Sequence, residues 1–280
     1  MLLQQEKVHL VKRGECPRSS PAGTIILLTP KRYCVYGTYD YTLSYDDGTL
    51  RMRVTKKGEL FIYRREVYGE EFERVLPGKG ASITIHPVEP LAVPKQISRF
   101  LEIAFNPVIV GPKSSTMIFL TFPIDIGIFL KVGGATEVLD IFTLNPTKYS
   151  LYGTPKAGVI TRWHHSDVWS DLPPTDPLRT GTLKLSIKND TDEIVTVSRA
   201  VFEGHGMVLY YGDFVGMTAQ MTIMSSVVAE TTFTDVPMVP GMVRAIELLK
   251  AKKIPMIGVH KITGVSGVEL NVFLMEWGLS

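Results

Sequence analysis

The residues with the greatest chemical capacity fall in one short run, Trp163-His164-His165-Ser166-Asp167-Val168-Trp169-Ser170-Asp171. A divalent metal site needs neutral imidazoles and carboxylates converging within about 2 Å of an ion. His164, His165 and Asp167 supply both donor types. Glu203 and His205 form a second acid–histidine pair, two residues apart, and on a strand they would share a face. These five residues define a candidate site for zinc or another divalent metal, and with it a metal-dependent hydrolase. The spacing weighs against it. Adjacent histidines point to opposite faces of a strand, so only one could ligate there, although both could in a loop. Neither a His-Glu-x-x-His helix nor paired Cys-x-x-Cys spacing supports either cluster. The competing reading is a loop with packed tryptophans, solvated histidines and no cofactor.

Trp163 and Trp169 admit a different chemistry. Indole rings are large and amphipathic, and beside Asp and His they can stack against and hydrogen-bond a sugar or a similar ligand. The competing reading places the rings in a core or as an inter-domain plug. Tyr39, Tyr41 and Tyr45, with Arg51 and Arg53 close by, have the make-up of an aromatic and basic platform for single-stranded nucleic acid. A formal net charge of only +2 argues against such a partner. Gly78-Lys79-Gly80 precedes a strand, so it lacks the helix N-terminus that cradles phosphate. Gly264-Val265-Ser266-Gly267 lacks the Gly-x-Ser-x-Gly spacing of a nucleophile elbow. Asp125 lies in an otherwise apolar strand and is a candidate for a shifted carboxyl group. The competing reading is that it reaches solvent or a backbone donor. His86 closes a strand before Pro87.

The elements that carry these residues read as strands. Ile97 to Leu130 holds three apolar runs rich in β-branched and aromatic residues, separated by Asn106-Pro107 and by Gly111-Pro112-Lys113-Ser114-Ser115. Leu50, Met52 and Val54 alternate with Arg51, Arg53 and Thr55 between the turns Asp46-Asp47-Gly48 and Lys56-Lys57-Gly58. This pattern predicts a half-buried meander of hairpins. Ala135 to Leu144 fits a strand or a short helix. Leu183, Leu185 and Ile187 alternate, as do Val268, Leu270, Val272 and Leu274. A helix is predicted over 240–253, opened by Pro240 and with Met242, Ala245, Ile246 and Leu249 on one face. The Pro- and Gly-rich stretch from Asn145 to Gly158 is the best candidate boundary. The reading is a mainly β protein of two tandem β-sandwich-like domains, 1–148 and 149–280, the second carrying the helix.

Composition bounds the function. The 280 residues are 45% hydrophobic, enough for a sizeable core, and the 24 Gly and 18 Pro suit many short strands joined by turns. Cys16 and Cys34 are too few for a disulfide scaffold, which favours a reducing, cytoplasmic setting. The N-terminal residues lack the apolar core of a signal peptide. The longest apolar run, Met117 to Leu130, is broken by Pro123 and Asp125 and is too short to span a bilayer.

Three segments carry a family likeness: Pro87-Val88-Glu89-Pro90, FLTFPIDIGIFL from Phe119 to Leu130, and KYSLYGTPKAGVITRW from Lys148 to Trp163. They resemble an uncharacterised archaeal family catalogued as a domain of unknown function. The resemblance runs over most of the chain. It implies an archaeal cytosolic protein and brings no activity or catalytic residue with it. The expectation is a non-catalytic binding or assembly module that uses sheet faces or edges for a protein partner or for self-association. The alternatives are the metal-dependent hydrolase and the carbohydrate-type site.

Overall fold

The structure is a computed structural model of the chain. It describes residues 35–39, 41, 43–76, 78, 81–91, 97–248, 272–276 and 278–280. Cys16, Cys34, the Gly264–Gly267 turn and Trp277 lie outside these residues.

The described chain is mainly β, arranged in several sheets. It opens with β1 (Gly37–Tyr39) and continues through a meander of β2 (Ser44–Asp46), β3 (Leu50–Lys57), β4 (Leu60–Val67) and β5 (Glu70–Leu76). Next come β6 (Ala81–Val88), β7 (Phe100–Val110), β8 (Ser115–Pro123), β9 (Asp125–Val132) and β10 (Ala135–Thr143). After these follow β11 (Tyr149–Tyr152), β12 (Val159–Ser166), β13 (Thr180–Asn189) and β14 (Val195–Glu203). The last are β15 (Tyr210–Tyr211), β16 (Val215–Ser225), β17 (Val228–Thr234), β18 (Val243–Arg244) and β19 (Val272–Met275).

The meander follows the turn chemistry. Asp47 Oδ1 accepts the amides of Thr49 and Leu50 at 2.9 and 2.8 Å, and Asp46 Oδ1 accepts that of Gly48 at 3.0 Å. These bonds close the β2–β3 turn in the manner of Asx turns. Tyr39 and Tyr45 do not share a strand: Tyr39 belongs to β1, which pairs with β6, and Tyr45 to β2. Tyr39 and Tyr45 of the aromatic and basic platform therefore lie in different sheets.

A four-stranded antiparallel sheet runs β1-β6-β9-β10. Its strand β9 is buried from Asp125 through Leu130. Both faces are covered, so apolar residues sit at successive positions instead of alternating. Asp125 is fully buried here rather than reaching solvent. Ala135 to Thr143 resolves as strand β10, and its register shifts between Val138 and Asp140, a β-bulge that precedes a buried aspartate.

Two further sheets hold the rest. One runs β11-β12-β7-β14. The other runs β18-β15-β16-β13-β8, with β17 paired to β16 and β19 paired to β17. Asn106-Pro107 is not a turn. It lies inside β7, where the register against β14 slips between Val197 and Arg199, so the proline is accommodated at a bulge. The chain passes from β8 to β9, and so from one sheet to another, through Ile124, whose amide bonds to the carbonyl of Arg179 at 3.0 Å.

Strands on either side of position 148 hydrogen-bond directly. β7 pairs with β12 in parallel and with β14 antiparallel, and β8 pairs with β13. The Asn145–Gly158 stretch is in large part the β11–β12 hairpin within one of these shared sheets. A single apolar cluster extends through all four sheets, from Leu50 and Tyr63 to Leu183, Met221 and Met275.

The helix predicted over 240–253 is not present through its first eight residues. Val243 and Arg244 form β18 on Tyr210 and Tyr211, and the Ala245 amide bonds to the Leu209 carbonyl at 2.8 Å. Sheet pairing here overrides the amphipathic pattern. Residues 249–253 lie outside the described residues.

Gly181 marks a tight contact. It pairs across the sheet with Phe122, and a Cβ added there would lie 2.5 Å from Phe122 Cζ and 3.0 Å from the Val215 carbonyl oxygen. Gly181→Val is expected to cost about 1–3 kcal/mol by overpacking, measured by urea denaturation. A loss near zero would mean that Phe122 moves aside freely.

Candidate functional site

β12, the strand VITRWHHS, positions most of the residues singled out by chemistry. It lies between the edge strand β11 and β7. Alternation puts Arg162, His164 and Ser166 on one face and Thr161, Trp163 and His165 on the other.

The first face is directed at β8. His164 Nε2 lies 3.0 Å from Thr121 Oγ1, and Ser166 Oγ accepts the Thr121 amide at 2.7 Å. Burial pulls the His164 pKa down to about 4, helped by the positive neighbours His165, Arg162 and Lys148. The ring is therefore neutral at physiological pH. Beside it Arg162 is 1% exposed, and none of its three guanidinium nitrogens has a hydrogen-bond partner among the described residues. Its Cζ sits 5.8 Å from the centre of the Tyr149 ring.

On the second face, Thr161 donates to Glu102 Oε2 at 2.7 Å, and Arg199 Nη1 binds Glu102 Oε1 at 3.1 Å. Trp163 is half-buried. Its amide bonds to the Lys148 carbonyl at 2.9 Å, the Lys148 ammonium stands 5.7 Å from the ring centre, and the His165 ring is 6.3 Å away.

The two faces meet at a cleft of about 270 Å³ lined by Pro123, Asn145, Pro146, Lys148, Arg162, Trp163, His164, His165 and Thr180. The lining contains no carboxylate. Asn145 is held at the rim by donating its side-chain amide to the Arg179 carbonyl.

The metal candidates fall on separate elements. His164 turns inward and His165 outward, as strand geometry requires, and Asp167 is exposed. Glu203, at the end of β14, makes an ion pair with Arg99 at 3.4 Å, and His205 follows in a 3₁₀ turn, Gly204–Gly206. Among the described residues no three His, Cys, Asp or Glu side chains gather as a metal ion requires. Trp169 does not line the cleft. It is pinned by two backbone bonds to Phe119 and is 38% exposed.

Lys148, Arg162 and Thr121 were not singled out by the sequence. The register brings the first two together: in the β11–β12 hairpin Tyr149 pairs with Arg162, and Lys148 stands beside Trp163. Two of the segments that carried the family likeness, Phe119–Leu130 and Lys148–Trp163, supply walls of this cleft.

The family described as "Protein of unknown function (DUF432)" matches residues 35–266. The chain belongs to the DUF432 family. The match covers every lining residue of the cleft. No curated protein and no solved structure matches the chain. No helix among the described residues of this DUF432 protein is long and apolar enough to cross a membrane.

Proposed function

We propose that this DUF432 protein is a binding module whose ligand occupies the cleft beside the β11–β12 hairpin. The observation that carries the reading is the convergence there of a half-buried indole, a lysine, two histidines and an asparagine on one concavity. Ligand sites combine an apolar wall with a few placed polar groups, and a volume near the lower end of their usual range suits a small molecule. Binding is favoured over hydrolysis because the acid–base groups are committed elsewhere. His164 is neutral and held against Thr121, and Glu203 is engaged by Arg99. The carbohydrate-type reading narrows to Trp163 alone.

Thermal unfolding in the presence of a panel of monosaccharides, organic acids and phosphate esters tests this. A ligand present at about a hundred times its Kd should stabilise the fold by roughly 2.7 kcal/mol, which raises the midpoint by roughly 5–10 °C for a chain of this size. Trp163→Ala should abolish the shift. A panel that leaves the wild type unmoved, shifts of equal size in Trp163→Ala, or turnover of the bound compound would each overturn the proposal.

A further inference from the structure

We propose that the group recognised in this cleft is an oxyanion, the phosphate or carboxylate of a small molecule, held by the charge of Arg162 and Lys148. The inference rests on the binding-module reading and adds a ligand class to it.

The argument begins with the charge of Arg162. Burying an ionised group without a partner is costly, and this protein avoids it at the buried Arg65 and the part-exposed Arg199. Arg65 meets Asp140 at 2.7 Å, and Arg199 meets the buried Glu102 at 3.1 Å. Arg162 is more deeply buried than either, and its guanidinium has no hydrogen-bonding partner among the described residues. Its aromatic neighbour Tyr149, at 5.8 Å, offers a ring face but no carboxylate.

The surroundings add to the positive charge. Lys148 is exposed at the rim, His165 stands outside, and no Asp or Glu lines the cleft. In a partly enclosed, low-dielectric site such a field is strong, because little water screens it. Burial is the main cause of the depressed His164 pKa, and His165, Arg162 and Lys148 add to it. The described cleft on the meander is the contrast. It is lined by Asp46, Arg51 and Glu66, and Arg51 is paired with both acids at 2.7 and 2.8 Å. That cleft carries its own counter-charges, whereas the β12 cleft lacks them.

An oxyanion supplies what is missing. The exposed Lys148 offers it a mobile point charge, and the Arg162 charge, its nitrogens closed to solvent, adds its field from behind the lining. Thr180 and the Asn145 side chain lie on the same lining as neutral polar groups. The cleft has room for a head group and a small body set against Trp163.

Isothermal titration of the full chain with inorganic phosphate, a hexose phosphate and sodium succinate, each against sodium chloride of equal ionic strength, tests the assignment. At least one oxyanion should bind above the chloride background. Hexose phosphate binding more tightly than inorganic phosphate identifies a phosphate ester, and succinate binding best identifies a carboxylate. Lys148→Glu, a change at an exposed position, should weaken binding by roughly tenfold or more, and Arg162→Gln should weaken it as well. If Arg162→Gln fails to fold, Lys148→Glu decides alone. No oxyanion binding by the wild type, or unchanged affinity in Lys148→Glu, overturns the assignment. A neutral sugar that binds in a Trp163-dependent way while all three anions fail would overturn it too, yet leave the binding module standing.

Discussion

Asp140→Ala is expected to destabilise the fold by about 3–5 kcal/mol, the cost of leaving a buried charge without its partner. Arg65 Nε lies 2.7 Å from Asp140 Oδ2, with the two side chains 11% and 4% exposed. Tyr63 adds a hydroxyl donated to the same oxygen at 3.2 Å. The Arg65 guanidinium also sits 4.8 Å from the centre of the Phe142 ring and 5.4 Å from that of Phe72. Arg65 and Tyr63 belong to β4 in the meander, and Asp140 to β10 in the neighbouring sheet. This group is therefore the polar bolt between them. Removing the carboxylate strands the guanidinium among aromatic rings and deprives the Tyr63 hydroxyl of its acceptor. Guanidinium chloride denaturation followed by circular dichroism measures the loss. The double variant Arg65→Met, Asp140→Leu should recover most of it, because an apolar pair of similar volume has no charge to strand. A double variant as unstable as the single one would show that the rings need the cation itself.

Acid should destabilise the protein between about pH 6.5 and pH 4, with His86 as the larger contributor. Burial pulls its pKa down to about 4, with Lys131 adding to the effect. Its ring packs edge-on against Phe129 and Tyr211, at 5.9 and 5.3 Å, and Nδ1 has no hydrogen-bond partner among the described residues. In the unfolded chain the same imidazole ionises near 6.5. Between these values the unfolded state holds more protons, so stability rises with pH through the window and is lost as pH falls through it. At about 1.4 kcal/mol per unit, His86 accounts for roughly 3 kcal/mol between pH 7 and pH 4. His164 is pulled down to about 4 as well and adds a contribution in the same direction, discounted because this residue is part-exposed. Denaturant midpoints at pH 7 and pH 4.5 measure the fall. His86→Phe should remove much of it, since phenylalanine fills the aromatic site and does not titrate. An identical fall in His86→Phe would move the cause to carboxylates elsewhere.

The β character of the chain was legible because alternation and turn residues act locally. Leu50-Arg51-Met52-Arg53-Val54 alternates as a half-buried strand, and Asp46-Asp47-Gly48 forms the turn it suggests. Register and partners were not legible, because they depend on residues far apart in sequence. Proline suggested a turn at Asn106-Pro107, but a bulge opposite Ser198 absorbs it within one strand. The amphipathic run after Pro240 looked helical until Tyr210 and Tyr211 offered a strand to pair with. The site was half legible. Trp163 and the two histidines stood out by residue type, whereas Lys148 and Arg162 acquire meaning only when the hairpin folds back and His164 meets Thr121 from another sheet.

The interleaving of the sheets has a kinetic consequence. β7 must wait for β12, more than fifty residues later, and for β14, nearly a hundred residues later. The far edge of β14 is covered later still, where Val197 bridges to Leu279 and the amide of Thr196 bonds to the carbonyl of Ser280. During synthesis the apolar ribbons around Phe100–Leu130 emerge long before their hydrogen-bonding partners exist. Such non-local pairing places folding in the slow, millisecond-to-second regime, and it leaves unpaired strand edges open to other chains in the meantime. For this architecture the hazard of misassembly is concentrated in the interval between the ribosome's delivery of β7 and its delivery of Leu279 and Ser280.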